Sequence, residues 1–532
     1  MEASLPVESV HKHRRLHRVT RGSRSVGGTL RAALVCACVA GCTEPTLVLS
    51  YGDAGTTTLA VGSEATASDS GSPDDGLDDG LDESSQGTGI SMCDADGICT
   101  NKIDLLFVID NSGTMGEEQL NLAKNFPLLI EQLEALEDGA GNPVGTDVNV
   151  MITTTDFGNP QCSGQWVHEG YEAAAGRPIR TPCTERLDRF EGFGSPPPVV
   201  TEACTDVCDP RNPAFPTDQF IHFTATEDNV VGGTPADALA CVGPQGIDGC
   251  GFEGTLESMA QALDPSACWN DPAGCEDPEF DDIERPFLRD DAVLAIAIIT
   301  DEADCSVQQF SIMESETFMA EDPTTMQPGL SSALCWNAGV VCAELDPMTG
   351  LYAGCLAADK DTSGGVSVPP GGQTALQPLA RYSQLFEVFK AQGKEVIMLG
   401  VLGVPEVTER SDTPPFEPVA GGVFDLEFRD WREEDVLPDE AMSGVVAADK
   451  QFEFGIGPGC TGIGSDGSYT GQAVAPVRIR EVCESLNIAD DPETEADETT
   501  IRCCIESICD EDFSPAIRCL TGLIQDVFQP VG

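Results

Sequence analysis

The sequence has little histidine, little positive charge and no apolar run long enough to span a bilayer. Of its 5 histidines only His168 and His222 lie beyond the N-terminal segment, and no Cys-x-x-Cys occurs. Zinc sites of Cys/His type and a Ser-His-Asp triad are therefore poorly supplied. Lys and Arg number 28 against 90 Asp and Glu, a net charge of −62. A field of that sign repels phosphate backbones and anionic head groups, so nucleic-acid binding is not expected. What the chain does have is an ordinary 41% apolar content, enough for a sizeable core, and 23 dispersed cysteines. Disulfides in an oxidising compartment fit that usage better than metal thiolates do.

Three regions follow from composition. Residues 1–41 read as an export signal, with a basic stretch (Lys12, Arg14, Arg15, Arg18) before a short apolar core, Ala32 to Ala40. Spanning a bilayer takes about 20 residues, and this core is too short. Its end, Val39-Ala40-Gly41-Cys42, resembles the bacterial lipobox. That resemblance implies cleavage before Cys42, lipidation of Cys42 and anchoring in the cell envelope; an ordinary secretory signal with a coincidental cysteine is the alternative. Loss of Cys36 and Cys38 with the signal, together with lipidation of Cys42, would leave an even number of the 23 cysteines for pairing. Residues 42–92 are rich in Gly, Ser, Thr and Asp, and carry the near-repeat Asp74-Asp75-Gly76-Leu77-Asp78-Asp79-Gly80. Such a segment buries too little apolar surface to order itself, so it is expected to be a solvated tether. Residues 93–532 hold the folded part.

Within it, apolar stretches alternate with helical patterns. Ile103 to Ile109, Asp147 to Asp156, Ala292 to Thr300 and Lys394 to Pro405 read as strands. Glu117 to Glu137, Thr255 to Leu263, Leu379 to Gln392 and Ser514 to Phe528 read as helices, with Pro127 expected to kink or split the first. This alternation predicts a doubly wound α/β fold with a mostly parallel sheet flanked by helices. Disulfide-bearing insertions are expected at about 157–219, 302–377 and 406–500.

The strand Ile103 to Ile109 ends in Asp110, Ser112 and Thr114, set two apart. A carboxylate and two hydroxyls there can converge on one hard cation, since Mg²⁺ takes oxygen ligands and keeps some water. The competing reading is that Asp110 or Ser112 caps the next helix. Asp110-x-Ser112-x-Thr114 resembles the Asp-x-Ser-x-Ser motif of the von Willebrand factor A domain, with Thr in the last place. That family's metal site draws on two further loops. Gly254-Thr255, opening a helix, resembles the second, and Thr255 is the expected ligand. Gly232-Gly233-Thr234 is its rival, and Thr255 is preferred because its helix is longer; either threonine could instead be an N-cap. Thr300-Asp301, ending a buried strand, resembles the third, with Glu302 where the family usually has Gly.

The resemblance implies a surface-anchored, divalent-metal-dependent binding or adhesion module. Asp110, Ser112, Thr114, Thr255 and Asp301 would hold Mg²⁺ (or Mn²⁺ or Ca²⁺), and an acidic residue of an extracellular or envelope protein partner would take the open position. Two alternatives stand beside it. One is an envelope scaffold with a vestigial site. The other is a metal-dependent phosphohydrolase, which needs a second Asp where this chain has Ser112. The cysteine-rich domain behind a lipobox and tether also resembles predicted envelope lipoproteins of myxobacteria, more loosely.

Overall fold

The computed structural model describes residues 101–528 apart from 139–140, 163–166, 168–170, 193–198, 276, 281–282, 284, 367–371, 465–466, 468 and 489–499, together with a short paired segment at 50–51 and 57–58. The export signal, Cys42 and most of the tether lie outside the described residues.

A six-stranded sheet forms the centre. Its strands are β1 (Lys102–Ile109), β2 (Asp147–Thr154), β3 (Ile221–Thr224), β4 (Val293–Ile299), β5 (Val396–Leu402) and β6 (Cys503–Ser507), in the order β6-β5-β4-β1-β2-β3. All neighbours are parallel except the edge strand β3, which runs antiparallel to β2. β1 and β4 are buried on both faces, as their continuous apolar sequences require.

Helices cover both faces. On one lie α1 (Gly116–Glu134), α2 (Pro235–Val242) and α7 (Ser514–Phe528). They pack Phe126, Leu239 and Leu520 against Leu105, Phe107 and Ile109 of β1 and neighbouring strands, and Phe126 meets Phe107 edge to face at 5.6 Å. On the other face lie α3 (Thr255–Ala262), α4 (Leu379–Ala391) and α6 (Val477–Glu484), which pack Leu256, Phe386 and Ile479 against Leu106, Val108 and Ile296. Alternate residues of β1 thus serve opposite cores, as the period of a strand dictates.

Three elements differ from what the sequence pattern suggests. Pro127 sits inside one uninterrupted helix, on its exposed side, where burial of Phe126, Leu129, Ile130 and Leu133 holds the element together across the proline. Cys503–Ser507, which carries no alternation and looks in sequence like a cysteine cluster, is the sixth strand, paired from Met398↔Cys503 to Leu402↔Ser507. The insertion expected at about 406–500 also contains helices of its own, among them α5 (Ala447–Phe454).

Nine disulfides close among the described residues. Cys162–Cys250 and Cys305–Cys335 belong to a small separate core built largely from the loops after β2 and β4, with Phe157, Phe252, Ile312 and Leu334. No helix among the described residues is long and apolar enough to cross a membrane.

Candidate metal centre

β1 and β4 are adjacent and in register to their ends, Ile109 beside Ile299. The residues that follow are therefore brought side by side at the carboxyl edge of the sheet, where open α/β folds form their sites. The Asp110 amide donates to the Ile299 carbonyl at 2.9 Å. Its carboxylate accepts from the Ser112 amide at 2.7 Å through Oδ1 and from the Thr300 hydroxyl at 2.5 Å through Oδ2. The Ser112 and Thr114 hydroxyls stand 3.5 Å apart. The capping alternative does not hold for this turn: the residue at the N-cap of α1 is Met115, with no side-chain cap bond.

Thr255 opens α3, behind Gly254 at the N-cap. Only glycine fits at 254, because a Cβ there would lie 2.1 Å from the Phe157 ring. The loop is sewn to the loop after β4. The Cys305 amide donates to the Glu253 carbonyl at 2.7 Å, the Leu256 amide to Asp304 Oδ1 at 3.1 Å, and the Glu257 amide to Ser306 Oγ at 2.9 Å. Asp304 is held in turn by Arg478 Nε at 3.0 Å. With Asp304 and Ser306 meeting the free amides of its first turn, α3 leaves the Thr255 hydroxyl uncommitted: Oγ1 is fully buried and has no hydrogen-bond partner. Asp301 Oδ1 is likewise buried and unpartnered. Thr234, by contrast, caps α2: its hydroxyl donates to Asp237 Oδ2 at 2.7 Å and accepts from the Asp237 amide.

The electrostatics are those of crowded, desolvated acid. Burial raises the Asp110 carboxyl above its usual range. Burial first, then the charge of Asp110, pushes Asp301 up to about 8. Burial and the charges of Asp301 and Asp110 hold Glu302 well above the usual carboxyl range. Glu253, fully buried, is raised the same way by burial, Asp110 and Asp156; it accepts from the Thr155 hydroxyl, and its Oε1 has no partner. Asp156, raised by burial, accepts from the Tyr171 hydroxyl at 2.8 Å, and Asn111 Nδ2 donates to that same hydroxyl at 3.3 Å. Glu253 and the Asp156–Tyr171 pair are the neighbours that sequence pattern did not single out, and Thr300, which enters that pattern only beside Asp301, bonds to Asp110. Glu253 stands directly before Gly254-Thr255, but nothing in its spacing says that its side chain turns inward.

Among the described residues no group of three or more His, Cys, Asp or Glu is disposed to hold a metal ion. A cation here needs hydroxyl ligands beside its aspartates. The donors present fit that need: all are hard oxygens, suited to Mg²⁺, Mn²⁺ or Ca²⁺, and two of them, Thr255 Oγ1 and Asp301 Oδ1, are buried with no other partner.

No family model and no curated protein matches the chain. Among solved structures it is similar to the pilus adhesin SpaC from Lactobacillus rhamnosus GG in its open conformation, at 11% identity and a TM-score of 0.20, over 58% of this chain and 24% of that one. A second crystal form of SpaC matches at 11% identity and a TM-score of 0.20, over 58% of this chain and 25% of that one. The chain thus spans about a quarter of that adhesin's length, and a likeness at this level carries no argument about the site.

Proposed function

We propose that the chain is a von Willebrand factor A-type binding module that captures an acidic residue of an extracellular or envelope protein through a divalent cation at the carboxyl edge of β1 and β4. The observation that carries this reading is the pair of buried, unpartnered oxygens, Thr255 Oγ1 and Asp301 Oδ1, in two loops bonded to each other, the second of them leaving the strand that ends in register with the one before Asp110. Asp110, Ser112, Thr114, Thr255 and Asp301 would hold the ion. Bound there, it would supply the positive charge that a partner carboxylate needs on a surface of this sign. The chain's own part is positioning: Thr300 and the Ser112 amide fix the Asp110 carboxylate, and the bonds from Cys305 and Leu256 hold the two distal loops together.

A binding role is preferred to phosphoryl hydrolysis because Ser112 stands where a second carboxyl would have to act as general acid. A scaffold with a vestigial site is favoured by one feature, the exposure of Thr114. The disulfides suit an exported protein, and lipid attachment at Cys42 would hold it at the envelope.

The test is adhesion by cells carrying the chain, in Mg²⁺ and in EDTA, beside cells carrying Asp110→Ala. Adhesion lost in EDTA and in the variant supports the reading; adhesion by the wild type that neither change alters contradicts it.

A further inference from the structure

Beside the candidate metal centre lies a cavity of about 330 Å³, open to solvent, lined by Cys250, Gly251, Phe252, Leu330, Phe452 and Glu453 among others. One wall is the segment that continues into Glu253 and Thr255. The opposite wall is α5, on which Asp449, Phe452 and Glu453 share a face by their helical spacing. The cavity is tied to the acid cluster through the chain, its lining residues Cys250, Gly251 and Phe252 leading straight into Glu253.

Its chemistry is divided. The serine hydroxyls at its edge are turned to the backbone, Ser331 Oγ donating to the Phe452 carbonyl at 2.6 Å and Ser332 Oγ to the Gly251 carbonyl at 2.9 Å. That leaves Phe252, Phe452 and Leu330 as an apolar lining, with the carboxylates of Asp449 and Glu453 beside it. The nearest cation is shared: Lys450 Nζ sits 2.5 Å from Glu440 and 3.6 Å from Glu453, over the rings of Phe454 and Trp431 at 5.3 and 5.8 Å, so it offsets part of the charge of Glu453 and none of that of Asp449, whose Oδ2 accepts from the Val446 amide at 3.0 Å.

We propose that this cavity receives a lysine or arginine side chain of the protein partner, its aliphatic stem between Phe252 and Phe452 and its cationic head at Asp449 and Glu453. A purely apolar side chain would strip water from those carboxylates and return nothing. A long basic side chain buries its stem while its head stays at the polar rim, and an arginine head also stacks on an aromatic face. The proposal rests on the adhesion reading for its biological sense and adds a specificity: the partner presents a basic residue near the acidic one that meets the cation.

The test uses the whole protein and three probes, N-acetyl-arginine methylamide, N-acetyl-lysine methylamide and N-acetyl-norleucine methylamide, followed by saturation-transfer NMR. The basic probes are expected to show saturable transfer to their side-chain methylenes, at least tenfold tighter than norleucine. Phe452→Ala is expected to abolish it. Glu453→Gln, a change at an exposed position that leaves the fold alone, is expected to weaken it about threefold, the scale of an exposed charge pair. The same binding in EDTA and in Asp110→Ala supports the pocket even where Mg²⁺ titration shows no ion, so failure of the metal reading and failure of the pocket are separable. Norleucine binding as tightly as arginine, no saturable transfer from either basic probe, or transfer unchanged in both variants would overturn the proposal.

Discussion

The Cys305 amide donates to the Glu253 carbonyl at 2.7 Å, so the loop that ends in Thr255 and the loop that begins at Asp301 form one unit. Ser306 reinforces it, accepting from the Glu257 amide and donating to Asp304 Oδ1 at 2.6 Å. Ser306 reaches none of the proposed ligands through a bond of its own. Ser306→Ala is nevertheless expected to lower Mg²⁺ affinity about tenfold, the lower end of what loss of an outer support costs a metal site, and to lower stability by about 1–3 kcal/mol. Calorimetric titration and denaturant unfolding read the two effects. An affinity unchanged by Ser306→Ala would mean that the loops hold their positions without it.

The two threonines weighed from sequence give opposite phenotypes. Thr255 Oγ1 bonds to nothing in the protein, so Thr255→Ala is expected to weaken Mg²⁺ binding at least tenfold and to leave the melting temperature of the metal-free protein nearly unchanged. Thr234→Ala removes the capping bond of α2 and is expected to cost about 1 kcal/mol with no change in metal affinity. The reverse pattern would make Thr234 the ligand.

Metal binding is expected to release protons. Burial, with Asp110 beside it, pushes Asp301 up to about 8, so the folded chain holds that proton more tightly than the unfolded one. Its contribution to stability is therefore complete at low pH and falls away as pH rises toward about 8. A cation needs the ionised form, so affinity is expected to rise with pH up to that point, by at most about tenfold per unit for each proton displaced. Titrations in buffers of different ionisation enthalpy count the protons. Affinity independent of pH between 6 and 8 would exclude Asp301 as a ligand.

At the other end of β1, Asp104 is fully buried and accepts from the Arg289 amide and guanidinium at 2.7 Å each. Burial pushes its carboxyl up to about 6 against the opposing charge of Arg289. Because that value lies above the unfolded one, ionised Asp104 weakens folding as pH rises through about 6, and Arg289 limits the loss. Arg289→Ala is expected to cost about 3–5 kcal/mol at pH 7, as breaking a buried pair does, less at pH 5, where Asp104 is protonated, and nothing in Mg²⁺ affinity. Urea unfolding at the two pH values tests it; an equal cost at both would put the effect in the bonds from Arg289 to Asp147.

The central strands were legible because burial on two faces writes itself as an unbroken apolar run, as in Val293–Ile299. Asp110 and Asp301 were legible because each ends such a run. Cys503–Ser507 was not, because its place in the sheet comes from pairing with β5 and from two disulfides, Cys483–Cys503 and Cys504–Cys519, rather than from alternation. Glu253 and Asp156 were also hidden: an acid's burial is decided by what folds over it, here the loops carrying Tyr171 and Cys305. The same applies to α5, whose polar sequence gave no hint of the wall it forms beside the candidate centre.

The most direct measurement is calorimetric titration of Mg²⁺, Mn²⁺ and Ca²⁺ into the wild-type protein and into Asp110→Ala. Saturable binding of about one ion per chain, lost in the variant while its fold persists, is the result expected here. A folded wild type that binds none of the three ions, or a variant that binds as well as the wild type, would contradict a cation centre at the end of β1.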